Sequence, residues 1–376
     1  MGGEARLVKP AAAVSAEAQQ LRGGLRPIAS AAACRHHGRG SGGKAMKAAW
    51  YEQAGAARAV LVVGEMPRPE PGPGEVLVRV HVSGVNPSDT KSRAGTGARA
   101  NPWPRIVPHQ DGAGVVEAVG EGVEPARIGQ RVWLYEAQLG RAFGTAADYV
   151  ALPSAQAVPL PDNTSFEEGA ALGVPALTAH RCVFGGGPVA GQVLLVTGGA
   201  GAVGFYAIQF AARAGARVLA TVSSAAQAEA ALAAGALLAI NRREEDVPAR
   251  VASFCGDAEG RGIDRVVDVN FAANLPEVLR VLKRGGSIAT YASDAGLEPA
   301  IPFRQLMNLN ARLDFTLVYT MGQEAHRAAI AAATEGLARG TLRHRLGPSF
   351  PLARIVEAHE AVEAGGAPGK VLVTLA

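Results

Sequence analysis

The stretch QVLLVTGGAGAVGFYAIQFAARAG, residues 192–215, constrains the fold more than any other part of the chain. A short apolar run leads into a glycine cluster, and a helical pattern follows at once. Gly199, Gly201 and Gly204 satisfy G-x-G-x-x-G. A turn without Cβ atoms lets the backbone approach a pyrophosphate, and a helix starting there presents unpaired N–H groups and the positive end of its dipole. A lone glycine-rich turn is a weak signal. Placed between a strand and a helix, with further strand–helix units behind it, it predicts dinucleotide binding. The run from Gly185 to Ala212 is uncharged, but its glycines break it, so strand, turn and helix explain it better than a membrane span.

Four more apolar runs follow: ARVLATV, ALLAIN, DRVVDVN and SIATYA. Helical patterns such as AAQAEAALAAG and LPEVLRVLKRGG lie among them. Strands apolar on both faces and alternating with helices predict a doubly wound α/β domain with a parallel sheet. The earlier chain, from Met46 to about Pro161, reads differently. EVLVRVHVSGV alternates Val76, Val78, Val80 and Val82 with polar residues, the period-2 mark of a half-buried strand, and GAGVVEAVGEGV and GQRVWLY continue in that style. This part predicts a β-rich domain of antiparallel character. After about Met307 the pattern is less regular, with a helix at GQEAHRAAIAAATEGLARG and a final strand at KVLVTLA.

A chain of 376 residues has room for two such domains. Its net charge of +4 is unevenly placed: residues 1–45 hold seven Lys or Arg against Glu4 and Glu17, a net of +5, so the remainder sums to −1. The basic balance therefore belongs to the leader, and no nucleic-acid partner is expected. The leader lacks an apolar h-region, which argues against a secretory signal. It reads as a disordered or mis-started extension before the strand pattern MKAAWYE, with an organellar transit peptide as the alternative. Cys34, Cys182 and Cys255 form no CxxC pattern, and the eight histidines form no cluster with metal-ligand spacing. A reducing, cytoplasmic setting fits, with no metal and no membrane anchor.

The choice of dinucleotide turns on the end of the strand after the glycine motif, where an acid would bond the ribose 2′-hydroxyl of NAD. The chain reads LATVSSAAQAE there, with no acid before Glu229. Ser223 and Ser224 can donate to a 2′-phosphate, and Arg242 and Arg243 follow the next strand, although Glu244, Glu245 and Asp246 beside them would also suit a solvated charge run. The missing acid predicts NADPH.

Seven segments then carry a resemblance: SGVNPSD, DGAGVVEAVG, FGTAADYV, GAALGVPALTAH, GGAGAVG, INRREEDV and EAHEAVEAGGAPGKVLV. Together they span nearly all of the chain beyond the leader. It resembles the zinc-independent quinone oxidoreductases of the medium-chain dehydrogenase/reductase superfamily, the zeta-crystallin type. The resemblance implies a GroES-like catalytic domain interrupted by a Rossmann domain. The expected boundaries are 46–165 for the first catalytic part, 166–307 for the cofactor domain and 308–376 for the return, with 1–45 outside both.

Zinc-dependent relatives place a Cys ligand at the position of Asn86 and a His ligand at that of Gln110, and this chain lacks their lobe of four cysteines. Two amides beside Asp111 do not make a zinc site. Without a Lewis acid, alcohol oxidation loses its usual route to an alkoxide. Hydride delivery from NADPH to an electrophilic acceptor, a quinone or an enone, is left. The resemblance puts Ala200, Gly201, Ala202, Val203 and Gly204 on the pyrophosphate, and Ser223, Ser224 and Arg242 at the 2′-phosphate. Asn86, Thr178, Asn274, Tyr291, Ala292, Ser293 and the segment Leu317, Val318, Tyr319 would surround the ribose and nicotinamide, with Lys370 closing the site. Two departures bear on specificity: Lys91 replaces a common aromatic near the acceptor, and Gln227 replaces a common lysine near the 2′-phosphate. Tyr135 and Tyr319 are the candidate proton donors, with Tyr135 equally suited to core packing. The competing readings are an enone or alkenal reductase on the same scaffold and a non-enzymatic structural or RNA-binding role; assembly as a homodimer or homotetramer is expected.

Overall fold

The computed structural model describes residues 44–97, 102–256 and 261–375. The leader, up to residue 43, lies outside them. Two strands open the described chain, β1 (Ala45–Trp50) and β2 (Val62–Pro67), paired antiparallel. The catalytic sheet takes β3 (Glu75–Val85), β4 (Asp111–Val119), β5 (Arg131–Leu134), β6 (Tyr149–Pro153) and β7 (Ala157–Pro159). The expected alternation holds only in the middle of β3, from Val78 to Val82; before it Leu77 is buried along with Val76 and Val78. From Val82 to Val85 both faces are buried, Ser83 and Gly84 included, because Ala170 and Lys370 pack against Gly84, where a Cβ would meet both.

The second sheet is built from β8 (Val193–Val196), β9 (Arg217–Val222), β10 (Leu238–Asn241), β11 (Ile263–Asp268), β12 (Leu282–Thr290) and β13 (Arg312–Phe315). Its order is β10-β9-β8-β11-β12-β13, and every neighbouring pair is parallel. This is the doubly wound dinucleotide-binding order, with its switch point between β8 and β11. The continuous apolar runs are explained by burial on both faces: Leu194, Leu195, Val218, Leu219, Val266 and Val267 are fully enclosed.

The chain then re-enters the first sheet through β14 (Leu346–Pro351) and β15 (Lys370–Thr374). β15 lies antiparallel to β3, with Val371 opposite Val85 and Thr374 opposite Val82. β14 and β15 are parallel to each other, joined by the helix Ile355–Glu363. The strands from β1 to β7 pair antiparallel, as their pattern predicted, whereas a helical crossover returns β15 in the direction of β14. The fold is thus α/β, a GroES-like β domain with a Rossmann domain inserted.

Candidate active site

The glycine turn is shaped for close approach. Gly198 has φ of +63°, and a Cβ on Gly199 would lie 2.6 Å from that of Ala220. Gly201 caps the helix Ala202–Arg213 without any side-chain cap, so the N–H groups of Ala202, Val203 and Gly204 have no acceptor within the helix. Gly201 is exposed, while Gly204 is buried against the turn. The cradle fits a pyrophosphate. Arg345, which no local pattern marked, donates to the carbonyl of Ala200 and brings a cation to the rim of this turn.

At the expected 2′-phosphate site, Arg242 Nε lies 3.3 Å from Ser223 Oγ. Two of the acids beyond it have other partners: Glu245 pairs with Arg250 at 3.0 Å, and Asp246 caps the helix Val247–Cys255 by accepting from Ala249 N–H. Ser224 serves as a helix cap, accepting from Gln227 N–H at 3.3 Å, and Gln227 Oε1 accepts from Ser223 N–H at 2.8 Å. The glutamine that replaces a common lysine thus stabilises the turn below Ser223.

Beyond β11, Asn274 Nδ2 donates to Asp268 Oδ1 at 2.8 Å, and Thr197 Oγ1 donates to the same oxygen at 2.9 Å. Burial raises the Asp268 pKa, opposed by those hydrogen bonds. Asp268 is thus the anchor of Asn274. It stands at the C-terminal end of a strand flanking the switch point, a signal the sequence offered and the pattern reading passed over. Tyr291 is held at the end of β12, its N–H donating to Asp268 O at 3.2 Å, and burial pushes its phenol upward. Ala292 O accepts from Phe271 N–H, and Ser293 Oγ accepts from Ala272 N–H, so both brace the helix Phe271–Val281.

The densest polar cluster joins the catalytic domain to its returning strand. Lys370 Nζ donates to Asp111 Oδ2 at 2.6 Å and to Asn86 Oδ1, and Asn86 Nδ2 donates to Asp111 Oδ2 at 2.8 Å. Asp111 Oδ1 accepts from Val174 N–H at 2.9 Å, at the start of the helix Gly173–Phe184 that carries buried Thr178. Asp89 accepts from Asn86 N–H at 2.8 Å; burial and the charge of Asp111 raise its carboxyl to about 7, with Lys370 opposing. Gln110 is turned elsewhere: its Nε2 donates to Gln138 Oε1 at 3.1 Å, and its Oε1 accepts from Gln138 N–H at 3.2 Å.

The two candidate tyrosines differ. Tyr319, on the one-turn segment Val318–Thr320, lies 2.8 Å from Ser88 Oγ through its hydroxyl, joining that segment to the helix Pro87–Ala94; Leu317 before it is exposed and Val318 is buried. Tyr135 is buried, stacked on His326 with centroids 5.8 Å apart, and its hydroxyl faces Ala155 O at 3.4 Å. Its surroundings are those of a packing residue. Lys91 forms an ion pair with Asp294 from the loop after β12, a further link between the two domains.

Among the described residues no group of three or more His, Cys, Asp or Glu side chains could hold a metal ion, and no helix is long and apolar enough to cross a membrane. Residues 72–162 match the family described as Alcohol dehydrogenase GroES-like domain, and residues 202–335 match Zinc-binding dehydrogenase. A human quinone oxidoreductase is 30% identical over 337 residues, covering 89% of this chain and 99% of that one. A mycobacterial protein solved in complex with NADPH is 27% identical with a TM-score of 0.75, and a protein solved as an NAD-dependent alcohol dehydrogenase is 31% identical with a TM-score of 0.78; each alignment covers 88% of this chain and 100% of the other.

Proposed function

Because the chain belongs to the quinone oxidoreductases of the medium-chain dehydrogenase/reductase superfamily, we propose that it transfers a hydride from NADPH to a quinone-type acceptor without zinc. One observation carries this reading. At the two positions where zinc-dependent relatives hold ligands stand amides already engaged in hydrogen bonds, and the carboxylate beside them is paired with the ammonium of Lys370. A lysine neutralises the charge that a metal would otherwise balance, and amides are poor zinc donors.

NADPH supplies the hydride. The residues of this chain bind and orient: the Gly201 turn and the following helix N-terminus hold the pyrophosphate, while Ser223 and Arg242 face the 2′-phosphate. The Asn86–Asp111–Lys370 cluster fixes the catalytic domain against the nicotinamide side of the cleft. Holding a nicotinamide and a flat acceptor in line is chiefly a proximity effect. A quinone gains two electrons and one proton with the hydride and a second proton from solvent, so no strong general acid is needed.

The Tyr319–Ser88 hydroxyl pair favours a second reading, reduction of α,β-unsaturated ketones or aldehydes, in which a donor protonates the carbon next to the carbonyl. NADPH oxidation assayed with phenanthrenequinone and with an enone separates the two; turnover of the enone alone would reject the quinone reading. Association of copies into a dimer or tetramer is supported by the large apolar side chains of Leu297, Phe303 and Phe315, 89%, 74% and 68% exposed, the last on the edge strand β13; light scattering tests it.

A further inference from the structure

A non-glycine residue stands in left-handed backbone next to the polar cluster: His109, with φ of +81°. Such a conformation is costly and persists where surrounding contacts hold it. His109 is 1% exposed and His359, on the helix Ile355–Glu363, is wholly buried. Their Nε2 atoms lie 2.9 Å apart, although the residues are 250 positions apart in the chain. On its other side, His109 Nδ1 is 2.8 Å from Ser83 Oγ, Ser83 Oγ is 2.7 Å from Thr145 Oγ1, and Thr145 Oγ1 donates to the carbonyl of Asp111 at 2.6 Å.

These contacts admit one proton order for neutral rings. A carbonyl only accepts, so the single Thr145 proton is committed to Asp111 O. The Ser83 proton is then committed to Thr145, and His109 must carry its proton on Nδ1. Its Nε2 is left as a lone pair, which requires His359 to carry its proton on Nε2. His359 Nδ1 then has only a lone pair, in agreement with its having no hydrogen-bond partner among the described residues. Burial and then the charge of Arg93 disfavour a charge on His359, and burial, His359 and Lys370, in that order, disfavour one on His109. Arg93 Nε is also buried without a partner among the described residues; its N–H can only donate, complementary in kind to the His359 lone pair. Arg93 lies on the same helix, Pro87–Ala94, that Asn86 opens.

We propose that His109 and His359 are positioning residues, the head of an ordered hydrogen-bond chain His359→His109→Ser83→Thr145→Asp111 that holds the His109–Gln110–Asp111 turn in its left-handed form and so seats the Asp111 carboxylate on Asn86 and Lys370. Neither imidazole touches the reacting atoms. The strained turn keeps its geometry because the ring of His109 is tied at both nitrogens.

Two measurements test this. In histidine-labelled enzyme at pH 7.5, long-range ¹H–¹⁵N correlation should find His109 protonated on Nδ1 and His359 on Nε2; the opposite tautomer at His109 would overturn the proton order. In the second, His359→Gln keeps an N–H donor toward His109 and should turn over phenanthrenequinone with NADPH near the wild-type rate, whereas His359→Leu should lose about tenfold or more in kcat/KM, the range of an outer-shell orienting contact. Equal rates in the two variants would reduce His359 to packing and overturn the proposal. Should His359→Leu fail to fold, His109→Gly, which relieves the left-handed strain, should fold and still lose activity; full activity in His109→Gly would overturn it too. The activity arm rests on the quinone reading, but the tautomers do not, so an enzyme inactive on quinones with the expected tautomers would count against that reading alone.

Discussion

Lys370 and Asp111 form a buried ion pair at 2.6 Å, with side chains only 3% and 0% exposed. Asn86 bonds both partners, accepting from Lys370 and donating to Asp111, so each charge also meets a neutral hydrogen-bond partner. Removing one partner strands the other in a medium that solvates it poorly.

Lys370→Met should therefore destabilise the protein by about 3–5 kcal/mol in urea unfolding, the range for breaking a buried pair. Adding Asp111→Asn should recover part of that loss, because the stranded charge is gone. Single and double variants of equal stability would show that the pair carries no such coupling.

The proposed preference for NADPH rests on Arg242 and Ser223, brought within 3.3 Å. Arg242→Ala should weaken NADPH binding by about 1.5–3 kcal/mol if a charge-assisted bond is lost, toward the low end at an exposed site, and leave NADH nearly unchanged. Fluorescence titration of both cofactors checks it; equal weakening would assign Arg242 to a general structural role.

The reach of local pattern ends at contacts like these. The strand β3 was legible from the alternation along part of its length, and the parallel strands from β8 to β11 from the continuous apolar runs that burial on both faces leaves. The edge strand β13 was not, since RLDF is half-exposed, with charges at Arg312 and Asp314. The start of β12 was read as helix, its residues LKRGG resembling a helix end. In the site, the glycine turn, Ser223 and Arg242 could be named, and the resemblance supplied Asn86 and Lys370. The residues that hold them could not be read, because Arg345 meets Ala200 across 145 positions and His359 meets His109 across 250.

Stability should fall on the acid side. Burial lowers the pKa of His109 well below its ordinary 6.5, that of His344 to about 4 and that of His359 to about 3. Below pH 6.5 the unfolded chain takes up protons that the folded state refuses, so each contributes stability that is present above 6.5 and lost as pH falls, by about 1.4 kcal/mol per pH unit at most. Asp89 acts in the opposite sense. Its raised value, about 7 against 3.8, makes the folded state hold a proton the unfolded chain releases, so its contribution is present at low pH and is lost as pH rises to 7. Asp89→Asn should steepen the loss between pH 6.5 and 5 in urea midpoints. An unchanged slope would place the Asp89 titration outside that window.

The tyrosines should separate. Tyr135→Phe gives up one long hydrogen bond and should keep quinone turnover within a few fold, while a loss of about 10²-fold would make Tyr135 a general acid. Tyr319→Phe removes the contact with Ser88 and should slow an enone far more than a quinone if the alkene reading holds.

The most direct measurement is the rate of NADPH oxidation with phenanthrenequinone by enzyme treated with a zinc chelator, with zinc content determined in the same sample. Full turnover with no stoichiometric zinc is the expected result, since Asn86 and Gln110 stand where the resemblance puts the zinc ligands of related enzymes, and both are engaged in hydrogen bonds beside the Lys370–Asp111 pair. One tightly held zinc per chain, with activity lost on its removal and regained on its return, would contradict the zinc-free hydride transfer.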